Sequence, residues 1–164
     1  MDGSSSRPDR LITLLDLRAH PEGGHYGELH RSSTLVHPLD GRGPRPAITT
    51  IYYLLRSGEV SRWHRVQSDE VWHFYEGAPL QLWIADLRGE SLTTCELGPV
   101  ADATRPVRTV PAGCWQAARP IGEYTLAGCS VGPGFDFADF TLARESPPAA
   151  KRLREHSGVA AELL

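Results

Sequence analysis

The stretch Gly58-Glu59-Val60-Ser61-Arg62-Trp63-His64-Arg65-Val66-Gln67-Ser68-Asp69-Glu70-Val71-Trp72-His73-Phe74-Tyr75-Glu76-Gly77 decides the fold of this chain. A glycine stands six positions before His64, Glu70 six after it, and Gly77 seven beyond that glutamate. Strand alternation puts Arg62, His64 and Val66 on one face, and Glu70, Trp72 and Phe74 on one face of the next strand. In a hairpin, a His and a Glu so spaced point into one pocket, and Gly77 permits the tight turn that closes the pair. His73 has the opposite parity. With Val71 and Tyr75 it forms an outward set more apolar than a solvated strand face, which leads us to expect a C2 homodimer.

Outward from this segment, the chain from Tyr26 to Leu142 reads as short strands divided by turn residues. The runs are Ile48–Leu55, Glu70–Tyr75, Leu80–Ala85, Thr104–Val110, Tyr124–Val131 and Phe137–Leu142. With Gly/Pro punctuation and no helices between them, they point to a sandwich or barrel rather than a βαβ fold. Leu11, Leu14, Leu15 and Leu17 recur at roughly helical spacing after Asp9, and Pro21 stops that helix near His20. Beyond Ser146-Pro147-Pro148, a Ser cap and Pro in the first turn predict a second helix. We divide the chain into a disordered lead (1–7), a β domain (8–145) and a helical tail (146–164).

The 164 residues suit one domain. A net charge of −3 from interspersed signs argues against nucleic acid or an anionic membrane as partner. No apolar run is long enough to span a membrane, and the amino terminus lacks the apolar region of a signal peptide. Three cysteines, Cys95, Cys114 and Cys129, without CxxC spacing suggest a reducing compartment. The expectation is a cytoplasmic protein.

The quoted segment is similar to the first cupin motif: Gly, five residues, His, one residue, His, three or four residues, Glu, six residues, Gly. Every spacing matches, but Val66 stands at the second His. Pro111-Ala112-Gly113-Cys114-Trp115-Gln116 resembles the second motif, Pro-X-Gly-X-X-His, with Gln116 at the last His. The chain further resembles the cupin-5 branch of RmlC-like cupins, largely of unassigned function. Its marks are His20-Pro21-Glu22-Gly23-Gly24, Ile51-Tyr52-Tyr53-Leu54-Leu55, Ser68–Tyr75 and Val131-Gly132-Pro133-Gly134-Phe135-Asp136-Phe137. The resemblance covers roughly residues 10–142. It implies a mainly β fold, an antiparallel double-stranded β-helix (jelly-roll barrel) with short N- and C-terminal helices.

It also implies where a metal would sit. A metal-dependent cupin brings three His and one Glu to a divalent ion; here Val66 cannot ligate, and the amide oxygen of Gln116 is a poor substitute for imidazole. No cofactor is expected, or at most a weakly held divalent metal on His64, Glu70 and Gln116. Without metal, His64 titrates near neutrality and suits a general base, with Glu70 or another carboxylate orienting its ring. Metal-free cupins include dTDP-sugar epimerases with a His base and a Tyr acid; here Tyr26, Tyr52, Tyr53, Tyr75 and Tyr124 are all candidates for the acid.

The leading reading is therefore a metal-independent isomerase, epimerase or lyase acting on a small polar, carbonyl-bearing or sugar-like metabolite. His64 and Glu70 are its catalytic candidates. Arg62, Tyr52, Trp72, Phe74, Trp83, Gln116, Glu22 and Tyr26 are its binding candidates. A salt bridge from Glu70 to Arg62 is the alternative use of that carboxylate. The segment Pro21–Tyr26 reads either as a Gly-mediated turn or as a lid offering Glu22 or Tyr26, and Phe135 and Phe137 can cap the pocket. The competing functions are a non-catalytic sensor or carrier, a weakly metal-dependent cupin enzyme, and a vestigial pocket as in seed-storage cupins.

Overall fold

A computed structural model describes residues 6–156 and 161–164. Most of the lead assigned to residues 1–7 lies outside them; Ser6 caps, and Arg7 begins, the first helix, α1 (Arg7–Leu14). Strands β1 (Arg18–Ala19), β2 (His25–Arg31), β3 (Leu35–Val36), β4 (Arg45–Pro46) and β5 (Thr49–Arg56) follow. Then come β6 (Ser61–Val66), β7 (Asp69–Gly77), β8 (Leu80–Asp86), β9 (Ser91–Leu97) and β10 (Thr104–Arg105). The chain continues through β11 (Val107–Val110), β12 (Trp115–Pro120), β13 (Tyr124–Gly132), β14 (Phe140–Leu142) and helix α2 (Pro147–His156).

Two six-stranded sheets, ordered β1-β2-β5-β13-β7-β11 and β10-β9-β8-β12-β6-β14, face one another, and β3 and β4 form a separate hairpin. Every described pairing is antiparallel except β9 with β10. The inner faces meet in a core that includes Tyr53, Leu55, Trp72, Ala127 and Cys129 from one sheet and Leu80, Leu82, Leu97 and Ala118 from the other. Helix α2 and Leu163 cover the outside of the second sheet over Trp63, Trp83 and Trp115. Leu11 of α1 packs with Leu17, Leu54 and Leu126 outside the first. No helix among the described residues is long and apolar enough to cross a membrane.

Several boundaries differ from the sequence reading. α1 ends at Leu14, well before His20, because the chain turns at Asp16 into the left-handed region (φ 48°) and enters β1. Pro106 divides the expected Thr104–Val110 strand into pieces that serve different sheets; its ring has no N–H to give to a ladder, and its carbonyl accepts from the Phe74 amide (2.8 Å). Phe137–Asp139 is one 3₁₀ turn, capped by the Asp136 side chain, so the last strand starts only at Phe140. The tail is not continuous helix: α2 ends at His156, residues 157–160 lie outside the description, and Leu163 folds back to accept from the Trp63 amide (2.9 Å). β6 and β7 lie in different sheets rather than in the expected hairpin of the His64 and Glu70 strands, and the residue that turns β7 into β8 is Gly77. Its φ is 99°, and a Cβ there would run into the Tyr124 carbonyl.

Candidate functional site

Strand register explains why His64 and Glu70 share a pocket. Gln116 of β12 lies opposite His64 of β6, and Val131 of β13 lies opposite Glu70 of β7. The lower interior is filled by the apolar core, so what remains open is a small cavity of ≈ 80 Å³ at one end. His64, Glu70, Val66, Glu22, Tyr26 and His20 are among the residues on its wall.

A second acidic contributor, Glu22, comes from the turn joining β1 and β2. The His20 amide donates to the Gly24 carbonyl and the Gly23 amide to the His20 carbonyl, both at 3.0 Å. Gly23 (φ 115°) leaves no room for a Cβ against the Val60 carbonyl, so only glycine lets this turn lie flat on β6. Glu22 is thereby pushed inward, with 6% of its surface exposed. Its Oε1 accepts from Ser61 Oγ at 3.0 Å, and Oε2 stands 3.2 Å from His64 Nε2. Irregular pairing between β6 and β12 at Ser61 lets that hydroxyl reach inward beside His64, against strict alternation.

The hydrogen bonds assign protons. His64 Nδ1–H donates to the Arg62 carbonyl (2.7 Å), so Nε2 is the nitrogen that meets Glu22. An approach of 3.2 Å between a bare imidazole nitrogen and a carboxyl oxygen is attractive only with a proton between them. Burial lowers the affinity of His64 for a second proton and raises that of Glu22. The His64–Glu22 pair therefore shares a proton. His20 Nδ1 accepts from the Glu22 amide (3.2 Å), which leaves its proton on Nε2; burial holds this ring neutral as well.

Glu70 is 7% exposed and is pushed above its ordinary range by burial and by the neighbouring Glu22 carboxyl, against an opposing pull from His64. Its Oε2 accepts from Gln116 Nε2 at 2.6 Å. Gln116 Oε1 in turn accepts from Trp72 Nε1–H at 2.9 Å. Trp72 thus orients the amide so that Gln116 offers Glu70 a donor. In this arrangement the Gln116 oxygen, the atom that would serve a metal, is taken by the indole. Val66 brings no donor, and among the described residues no three His, Cys, Asp or Glu side chains are grouped to hold an ion. The residues present do not fit the usual cupin metal.

Of the sequence candidates, Glu22, Tyr26, His64 and Glu70 converge on the cavity, with Gln116 and Trp72 directly behind Glu70. Arg62 is not an ion-pair partner of Glu70; its Nη1 donates to the Glu22 carbonyl at 3.3 Å, bracing the turn. Phe74 packs on the filled core. Two candidates lie outside the site. Tyr52 sits on the outer face against the α1 cluster and beside Tyr75, and Trp83 lies under α2 with Arg119 over its ring (5.2 Å). Tyr26 is the one tyrosine on the cavity wall among the described residues, since the Tyr53 hydroxyl donates to the Gly23 carbonyl. His20 was missed as a site residue; its only signal was its place two residues before Glu22. Phe140 was missed too, and with Phe135 and Phe137 it forms a wall of mutually edge-on rings at 5.0–6.0 Å. Of the outward set, Tyr75 is 46% exposed and stacks on His73.

A family model described as the cupin superfamily, DUF985, matches residues 9–143. A protein of Shewanella oneidensis of known structure is 36% identical, with 97% of this chain and 98% of that one covered at a TM-score of 0.84. A hypothetical protein from Leishmania major is 31% identical over 89% of this chain and 96% of its own (TM-score 0.75). A cupin 2 conserved barrel domain protein from Rhodopseudomonas palustris, 15% identical over 90% and 84% of the two chains (TM-score 0.54), shares the fold alone. No functionally curated protein matches. The chain belongs to the DUF985 branch of the cupin superfamily.

Proposed function

We propose that this cupin moves a proton on a small carbonyl-bearing metabolite, as an isomerase, epimerase or related lyase, without a metal. The observation that carries the reading is the 3.2 Å contact of His64 Nε2 with Glu22 Oε2, both groups buried and His64 Nδ1 already committed. Such a couple takes a proton from a carbon acid without leaving an isolated charge in the cavity. The C–H electron pair stays on the substrate as an enolate; its proton goes to Glu22 Oε1 as the proton already shared moves fully onto His64 Nε2, so the resulting imidazolium balances the enolate charge. His20, neutral with Nε2–H free of any protein partner among the described residues, suits a hydrogen bond to the carbonyl oxygen where the negative charge gathers. Tyr26 is the candidate for returning a proton. Glu22 replaces Glu70 as the partner of His64.

The cavity narrows the substrate. At ≈ 80 Å³ it is well below the several hundred Å³ of a drug-sized site, so it encloses the reacting end of a compact molecule rather than a nucleotide sugar. The measurement is deuterium exchange from heavy water into small hydroxyketones and aminoketones, followed by NMR. Wild-type protein should exchange one carbon-bound hydrogen, and Glu22→Gln and His64→Ala should each slow it by about 10²–10⁴-fold. Undiminished exchange in both variants removes the couple from the mechanism. Saturable binding without exchange favours the sensor or carrier instead.

A further inference from the structure

The charge inventory of the cavity points to the class of molecule it takes. Of the acidic groups on its wall, Glu28 is neutralised on the spot: Arg31 grips it through Nε and Nη2 at 3.1 and 2.7 Å, and Arg31 Nη1 donates to the Phe135 carbonyl. Glu22 and Glu70 have no such partner. Neither forms an ion pair with a lysine or arginine among the described residues; Glu22 meets Ser61, His64 and, at 3.6 Å, His20, and Glu70 meets Gln116 and the Cys129 thiol. Two carboxyl groups are thus held in a pocket whose one lysine or arginine among the described wall residues, Arg31, is engaged by Glu28 and the Phe135 carbonyl.

The walls around them are ring faces and edges. Phe140 lies 5.5 Å from the His64 ring and 5.9 Å from His20, and Phe137 stacks at 6.2 Å on His20, with Tyr26 edge-on at 4.7 Å. Phe137 is 53% exposed, an apolar side chain left at the mouth of the cavity. Carboxyl groups backed by aromatic rings attract an alkylammonium group by charge and by the ring quadrupole together. An anion would meet the two acids and no free guanidinium, and a neutral polyol would leave both without a counter-charge.

We propose that the cavity binds a small organic cation, its ammonium group seated between Glu22 and Glu70 and against the rings of Phe137 and Phe140. This rests on the cavity being the ligand site, as in the proton-transfer reading, and adds that the substrate carries its positive charge inward. Burial, which favours the uncharged form of both carboxyl groups, agrees with a pocket that ionises fully only when such a ligand enters. A chelated metal is disfavoured as the cation because the donors do not group around one point.

Ethanolamine, ethylene glycol and glycolate form a size-matched series of cation, neutral and anion. Titrations followed by NMR, in phosphate buffer at pH 7.5 and low salt, should show ethanolamine binding at least tenfold more tightly than either of the others. Glu70→Gln should weaken ethanolamine about tenfold or more while leaving ethylene glycol unchanged. If that variant fails to fold, Phe140→Leu, which leaves every acid in place, should still weaken ethanolamine severalfold. Glycolate binding as tightly as ethanolamine overturns the proposal, as does equal ethanolamine binding in folded Glu70→Gln and Glu22→Gln proteins. Stoichiometric zinc that excludes ethanolamine also overturns it. Exchange into an uncharged hydroxyketone without ethanolamine binding refutes this inference and spares the proton-transfer reading; ethanolamine binding with no exchange on any compound does the opposite.

Discussion

Asp139 and Glu70 are both acids buried in one small domain, at 3% and 7% exposure, and the fold treats them in opposite ways. Asp139 receives Arg42 at 2.9 Å and both arms of Arg45 at 2.8 Å, so hydrogen bonds and charge hold its carboxyl below the ordinary range. Glu70 receives one amide N–H, from Gln116, and burial holds it above that range. The first arrangement is a latch: Arg42, in the loop between β3 and β4, and Arg45, at the start of β4, hold Asp139 at the end of the Phe137–Asp139 turn, next to Phe140. The second leaves a carboxyl in need of a proton or a cation. Since the chain does supply guanidinium groups to a buried acid, and Arg62 and Arg31 lie nearby on other partners, the lack of one on the Glu22 and Glu70 carboxyl groups among the described residues is a property of the pocket rather than a shortage of arginine.

The largest effect should come from breaking the latch. Asp139→Asn keeps the shape but leaves Arg42 and Arg45 facing a neutral amide. Removing one partner of a buried pair costs about 3–5 kcal/mol, and solvent at the rim of the guanidinium groups places this case near 3. Urea unfolding at pH 7 measures it. The Phe137–Phe140 wall should loosen as well, so ligand affinity falls together with stability. A loss below about 1 kcal/mol would mean that the two acids are not treated differently after all.

Glu70→Gln should give a smaller effect with a sign that changes with pH. A carboxyl whose folded pKa is raised contributes stability that is complete below its unfolded value of about 4.5 and is lost as pH rises through the folded value. Glutamine has no such loss. The stability of Glu70→Gln relative to wild type should therefore climb from pH 4.5 upward, by at most ~1.4 kcal/mol per pH unit, and then level off. His20 and His64, whose pKa values are lowered, contribute stability that is lost as pH falls below about 6.5, but they are present in both proteins and largely cancel. Thermal melts across pH 4–9 test this. A difference that is flat, or that falls with pH, would place a hidden cation beside Glu70.

How much of this was legible beforehand follows from what each feature depends on. The strand rhythm and the His64–Glu70 pocket rest on spacing and alternation, which are properties of the linear chain. The second helix rests on the Ser146-Pro147 cap in the same way. The roles of Tyr52 and Tyr53 were not legible, because a continuous apolar run buries both faces of β5 and alternation cannot say which is inside. Trp83 failed for the same reason, since α2 makes the outer face of β8 a second core. Spacing put Gln116 among the pocket candidates, but whether its amide offers oxygen or nitrogen depends on Trp72, which is distant in sequence. Glu22 as the partner of His64 required the turn at Gly23 and the irregular pairing at Ser61, and neither is written in a residue period.

Glu76, a third carboxyl, lies near the surface and is held differently from both buried acids. Arg7 reaches it through two nitrogens at 2.7 Å, and the Tyr124 hydroxyl donates to its Oε1 at 2.6 Å. Hydrogen bonding from Arg7, then from Tyr124, lowers its pKa to about 2. A lowered carboxyl contributes stability that is present above the unfolded value of about 4.5 and lost as pH falls through about 2. Tyr124→Phe removes one donor but leaves the guanidinium, so the folded pKa should rise partway toward 4.5, and the acid-side loss, which still begins near 4.5, should be smaller and end at a higher pH. With the side chain 34% exposed, water replaces much of the lost bond, and the cost at pH 7 should stay below about 1 kcal/mol. An NMR titration of the Glu76 carboxyl carbon follows the shift directly. A midpoint that does not move would assign the whole effect to Arg7, making Glu76 a weaker form of the Asp139 latch, held by guanidinium alone.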